Sequence, residues 1–132
     1  MKASAQNITD QVVSDNLPDI LLSGDNSRTA LILHRVLLDQ GFCVQFAGAY
    51  AELESIWQQR RQSIVLLEVS GSQGVEAAVD IALQLKRCDP LLFVGYLADP
   101  VLHSSGLAGD AIFPRASDQL VRALRNHFLS EA

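Results

Sequence analysis

What this sequence lacks narrows its function early. It holds two cysteines, Cys43 and Cys88, far apart and without metal-ligand spacing. Two such thiols make neither a disulfide framework nor a zinc site, and are expected to serve as small buried hydrophobes in a reducing compartment. No apolar run approaches the ~20 residues that cross a bilayer. The opening "MKASAQNITDQVVSDNLP" lacks the apolar centre of a signal peptide, so a cytoplasmic location is expected. Positive charge is also short: ten Lys and Arg stand against 15 Asp and Glu, for a formal net charge of -5. That balance argues against nucleic acid or an anionic membrane as a direct partner, since both demand a basic face. Repeats and low-complexity tracts are absent. "GSQG" from Gly71 has neither the glycine spacing nor the lysine of a nucleotide-binding loop. Ser70, Ser72, Ser104 and Ser105 have no nucleophile-elbow context. His34, His103 and His127 fall on three different elements, so a shared metal or catalytic triad is not expected.

What is present is a core. The chain is 48% apolar and 19% charged, and 132 residues suit one domain. Residues 1–17 read as a flexible polar leader and 18–132 as the domain. From Pro18 onward, apolar runs alternate with segments of helical period. "DILLSGD", "FCVQFAG", "SIVLLEV", "LLFVGYL" and "AIF" read as strands. Between them, Ala30, Leu33, Val36 and Leu37 mark one helix, capped near Ser27 and stopped at Gly41. Ala49, Leu53, Ile56 and Trp57 mark a second, and Val75, Ala78, Val79, Ala82 and Leu83 a third. "DPVLHSSGLAG" has room for a turn or two of helix. Leu120, Val121, Leu124 and Phe128 mark the closing helix, with Ser117 as its cap. Strands apolar on both faces need cover on both sides. The expected fold is therefore α/β: a flavodoxin-like three-layer sandwich with a five-stranded parallel sheet, order 2-1-3-4-5. In that order a site forms at the carboxyl ends of the first and third strands, at Gly24–Asp25 and Glu68.

The order and length of these elements, with "ILLSGDN", "IVLLEVSGSQG", "DPLLFVGY" and "AIFPRA", resemble the receiver domain of bacterial two-component response regulators, the CheY-like family. The resemblance covers about residues 19–129. It implies a phosphoacceptor pocket in which two acids hold magnesium, an aspartate takes the phosphoryl group, and a hydroxyl and a lysine steady it. In this sequence those five positions fall on Gly24, Asp25, Glu68, Gly95 and Phe113, the last directly before Pro114. Only Asp25 matches. Phosphoryl transfer is mostly positioning and charge neutralisation. Gly24 removes a magnesium ligand, Glu68 displaces the acceptor oxygens, Gly95 has no hydroxyl, and Phe113 has no charge and should tend to fill the pocket. Magnesium binding is expected to be lost or weak, with no other cofactor.

The resemblance thus implies a pseudo-receiver: a regulatory domain without enzymatic activity that works by binding a protein, either a signalling partner or a second copy. Two alternatives stand beside it. One is a phosphorelay receiver that uses Glu68 or Asp25; the other is a small-ligand sensor in the same cleft. Glu68 itself reads either as a fixed charge in place of a phosphorylated aspartate or, more plainly, as a carboxylate solvated or paired with Arg28 or Arg115. The plainer reading is favoured because a carboxylate lacks the charge and tetrahedral oxygens of a phosphoryl group. Leu31 and Leu38, a heptad apart beside the first helix's core stripe, and Leu129 at the end of the last helix form the candidate interaction surface. The aromatic switch position of the fifth strand falls on or near Asp110, which puts the family's aromatic switching in doubt.

Overall fold

The computed structural model describes residues 19–24, 27–70, 74–99 and 110–129. The leader, Asp25, Ser72, His103, Ser104, Ser105 and the "DPVLHSSGLAG" helix lie outside the described residues, apart from Asp99. In chain order the elements are β1 (Asp19–Gly24), α1 (Ser27–Asp39), β2 (Cys43–Gly48), α2 (Tyr50–Arg60), β3 (Ile64–Glu68), α3 (Val75–Cys88), β4 (Phe93–Leu97), β5 (Ala111–Phe113) and α4 (Ser117–Leu129). The five strands form one sheet in the order β2-β1-β3-β4-β5, and every adjacent pair is parallel. This is the flavodoxin-like architecture expected from the sequence.

Side-chain alternation along the strands divides the core into two layers. Leu21, Val65, Leu67, Val94 and Tyr96 face one way, onto Leu53 and Trp57 of α2 and Ala78, Ala82 and Leu85 of α3. Ile20, Leu22, Ile64, Leu66, Leu97 and Phe113 face the other, onto Leu33 and Leu37 of α1 and Leu120 and Leu124 of α4. Covered on both faces, the central strands have no polar side to show, which explains their unbroken apolar runs.

The helix ends follow backbone chemistry. Gly41 stops α1 with φ +91°, and its N–H donates to the Leu38 carbonyl at 3.0 Å. Arg61 ends α2 in the same left-handed region, φ 55°, without being glycine. Its guanidinium stacks over the Trp57 ring, 4.5 Å from the centroid, and its Nε donates to Gln58 at 3.1 Å. Those contacts hold a conformation that an L-residue adopts at a cost.

Several expectations need correction. Cys43 and Cys88 are exposed and free rather than buried. Cys43 begins the edge strand β2 and Cys88 ends α3, so neither reaches a core layer. A hydrogen bond with Asp19, then burial, pushes the Cys43 thiol up, which keeps it protonated. Leu83 is 47% exposed, and Leu85 takes the core place instead. Five residues from Ala78 is a rotation of roughly 140° off its stripe, whereas Ala82 and Leu85 recur at helical spacing. Ala49 precedes α2 as its N-cap and is exposed, so it joins no helix face.

Asp110 caps the start of β5. Its carboxylate accepts the Val94 N–H at 2.8 Å and pairs with Lys86 Nζ at 2.7 Å. Burial pushes this carboxyl up, but the Lys86 hydrogen bond, the Val94 N–H and the Lys86 charge outweigh it and hold it below 3.8. A depressed carboxyl contributes stability that is complete above its unfolded value and lost as pH falls through the folded one. Thermal melts should therefore lose this contribution below pH 3.8. The Asp110→Asn variant should be less stable at neutral pH and show a shallower acid limb; an unchanged acid limb would contradict the assignment.

Candidate functional site

The strand register sets what meets what at the carboxyl end of the sheet. Gly24 stands opposite Glu68, Glu68 opposite Leu97, and Leu97 opposite Phe113. Of the two plain readings of Glu68, solvated or paired, the solvated one does not hold: the residue is fully buried, although it is the last of β3. A buried carboxylate needs a partner, and Arg115 provides one. Its Nη2 lies 2.9 Å from Glu68 Oε2, and its Nη1 lies 3.1 Å from Asp99 Oδ2. The guanidinium therefore bridges the ends of β3 and β4 from the loop that leads into α4. Arg115 is 18% exposed, so this pair is well shielded from water.

Gly24 is the geometric complement of Glu68. A Cβ built on Gly24 would sit 2.7 Å from Glu68 Oε1 and 2.8 Å from the Ala30 Cβ. Both are far inside contact distance. The longer acid on β3 thus occupies the space where a side chain on β1 would stand. On the far side of the strand end, the Tyr50 O–H donates to the Glu68 carbonyl at 2.7 Å. The Ser23 O–H donates to the Gly48 carbonyl at the same distance. These two bonds tie the β1, β2 and β3 termini together.

The other positions assigned from the sequence do not converge here. Gly95 pairs with Leu66 and Ala111, two rungs below Glu68, in the interior of β4. At the Glu68 end, β4 closes on Leu97, followed by Ala98; both are buried and without a hydroxyl. Phe113 is buried, but its ring packs towards Gly95, not Glu68. A Cβ on Gly95 would lie 3.0 Å from Phe113 Cε2. Gly95 is thus the small residue that accommodates this ring. Phe113 also joins Phe93, His127 and Phe128, its ring centroid lying 5.5–6.4 Å from theirs. The side chain that reaches Glu68 comes from two residues later, beyond Pro114. His34 sits apart, with Nε2 at 3.3 Å from the Val44 carbonyl and its ring against Phe46.

Magnesium, which this fold family implies, wants several oxygen ligands in near-octahedral order. Among the described residues no group of three His, Cys, Asp or Glu could hold a metal ion. Glu68 and Asp99 are both turned to one guanidinium, and Gly24 offers no ligand. The described donor set does not fit the ion, and no step is derived through it. Tyr96, buried in the opposite layer, is pushed up to about 12 by burial and then by the Asp110 charge, so its phenol stays neutral. Arg115 was among the sequence-level partners for Glu68; Asp99 and Tyr50 were not. Their signal was absent because each belongs to a different loop or helix, brought in only by folding.

No family model matches this chain, and no curated protein sequence does. Solved structures do. A cobalamin-binding protein from Desulfitobacterium hafniense DCB-2 superposes with a TM-score of 0.62 at 16% identity, over 87% of this chain and 61% of that one. The present chain thus spans about three fifths of that protein. The CheY-like protein TadZ from Pseudomonas aeruginosa PAO1 gives 0.61 at 13% identity, covering 83% of this chain and 93% of that one. The pseudo-receiver domain of the CikA protein gives 0.56 at 19% identity, covering 84% and 96%. At such identities the likeness is one of fold: the chain has the CheY-like receiver fold.

Two outcomes test the site. Arg115→Met should cost about 3–5 kcal/mol in urea denaturation, because it strands a buried carboxylate. The double variant Arg115→Met/Glu68→Met should recover most of that loss, since an apolar pair has no charge to desolvate. Gly24→Asp should destabilise by at least about 1–3 kcal/mol through overcrowding alone, with like-charge repulsion from Glu68 added. Wild-type stability in Gly24→Asp would show that the two side chains do not compete for space.

Proposed function

We propose that this chain is a phosphorylation-independent receiver-like domain: a regulatory module without a catalytic step, which acts by binding another protein. The observation that carries the reading is the buried Glu68–Arg115 ion pair. In phosphoryl transfer to a carboxylate, the acceptor oxygen must be free to attack, and cations must gather on the incoming phosphoryl oxygens. Here a cation that is part of the chain, Arg115, already spends its charge on the Glu68 carboxylate and on Asp99. Attack by Glu68 would first require breaking a buried pair.

The packing of Glu68 against Gly24 supports the same reading, since Glu68 fills the space that a metal-binding side chain at position 24 would need. The absence of a hydroxyl at Leu97 and Ala98 removes one more contact to a phosphoryl oxygen. The bland expectation for Glu68, pairing with Arg115, fits this arrangement without any need for phosphate mimicry. No described helix is long and apolar enough to cross a membrane.

Incubation with acetyl phosphate and millimolar magnesium, followed by intact-mass and peptide mapping, tests the proposal. The expected result is no phosphate adduct, with amide NMR shifts at Gly24, Glu68 and Ala98 unmoved by magnesium. An adduct mapped to Glu68 or Asp25 would overturn it and install the phosphoacceptor reading instead.

A further inference from the structure

Between α1 and α4 runs an open trough of about 590 Å³, lined by Val36 and Gln40 on one side and by Asp118, Val121, Arg122 and Arg125 among others on the opposite one. Its lining on α4 reaches from Ser117 to Asn126, a length of roughly 13 Å along the helix. Ile32, one turn before Val36, is 55% exposed beside it. Leu31 and Leu38 do not line it. They are half exposed, but stand roughly 140–160° around α1 from Val36, on the flank facing β2. The apolar surface at the α1–α4 junction is therefore Ile32, Val36 and Val121, not the leucine pair; the Leu129 side chain lies outside the described residues.

The trough's own lining carries two arginines, Arg122 and Arg125, against one carboxylate, Asp118, which is a net +1 in a chain of net -5. Arg125 is anchored, donating to the Gln40 carbonyl at 2.9 Å and lying over the Phe42 ring. Arg122, one turn away, is exposed and makes no ion pair or side-chain hydrogen bond among the described residues. An apolar floor with a basic rim fits an occupant that is apolar on one side and acidic on the other. A second copy is disfavoured, because a symmetric contact would set two net-positive faces together. A membrane is disfavoured by the concave shape and by the acidic remainder of the chain.

We propose that the α1–α4 trough is a docking site for an acidic amphipathic helix of a protein partner, its apolar stripe on Ile32, Val36 and Val121 and its carboxylates on Arg122 and Arg125. This rests on reading the chain as a binding module and names the chemistry of what it binds. A helix of two to three turns matches the length of the trough, and helix-in-groove recognition uses this spacing of anchors.

The probe is a fluorescent synthetic helical peptide of about 14 residues, with leucine at helical spacing and glutamate elsewhere. Its counterpart has lysine for every glutamate. The full chain should bind the glutamate peptide and not the lysine one, with affinity that falls as salt rises. Arg122→Glu should weaken binding at least about tenfold, and Ile32→Asp similarly, with unchanged melting temperature since both side chains are exposed. Three results would each overturn the proposal. One is equal binding of both peptides or of neither. Another is self-association of the free chain abolished by Ile32→Asp, which would assign the trough to a second copy. The third is sedimentation with anionic phosphatidylglycerol vesicles lost in Arg122→Glu, which would assign it to a membrane. A phosphate adduct at the strand ends, by contrast, would sink the proposed function and leave peptide binding untouched.

Discussion

Everything at the carboxyl end of this sheet is arranged around one buried carboxylate. Glu68 has no exposure, and the desolvation of such a charge is severe unless a cation and hydrogen-bond donors surround it. Arg115 answers that demand from a loop, and in doing so it fixes where the loop between β5 and α4 can lie relative to β3 and β4. Asp99 accepts from a second nitrogen of the guanidinium, Nη1, so three chain segments that are distant in sequence are held by one planar group. Gly24 is the steric condition for the arrangement: only a residue without Cβ leaves room for the longer acid opposite it.

The same logic of paired small and large residues recurs lower in the sheet. Gly95 admits the Phe113 ring, which then stacks among Phe93, His127 and Phe128 beneath α4. Gly24 with Glu68 and Gly95 with Phe113 are thus two local solutions to packing: the first holds a charge and neutralises it internally, and the second is apolar.

A receiver scaffold of this kind retains surfaces even where its pocket is closed. The sheet and its four described helices place α1 and α4 side by side over one core layer, and the trough between them is a consequence of that neighbour relation, independent of the pocket.

How much of this was legible beforehand follows from how local each feature is. Strand and helix identity, the parallel sheet and its order came from apolar runs, helical spacing and turn residues, all of which are written in contiguous sequence. Glu68 stood out because a carboxylate closes an apolar strand. The register of Gly95 was not legible, because a two-residue shift along a uniformly apolar strand changes no pattern until a neighbour fixes it. The core stripe of α3, by contrast, was legible: Leu85 recurs at helical spacing from Ala78 and is buried, whereas Leu83 stands off that stripe and is exposed.

What the sequence determined alone was the architecture, since that depends on the type and order of residues within each element. What only the tertiary structure decided was the fate of Glu68: that it is buried, that Arg115 carries an ion pair from it to the loop, and that Gly24 yields it space. The physical reason is range. Hydrophobic periodicity acts within an element, whereas desolvation and charge pairing are settled by groups that meet only once the sheet has closed.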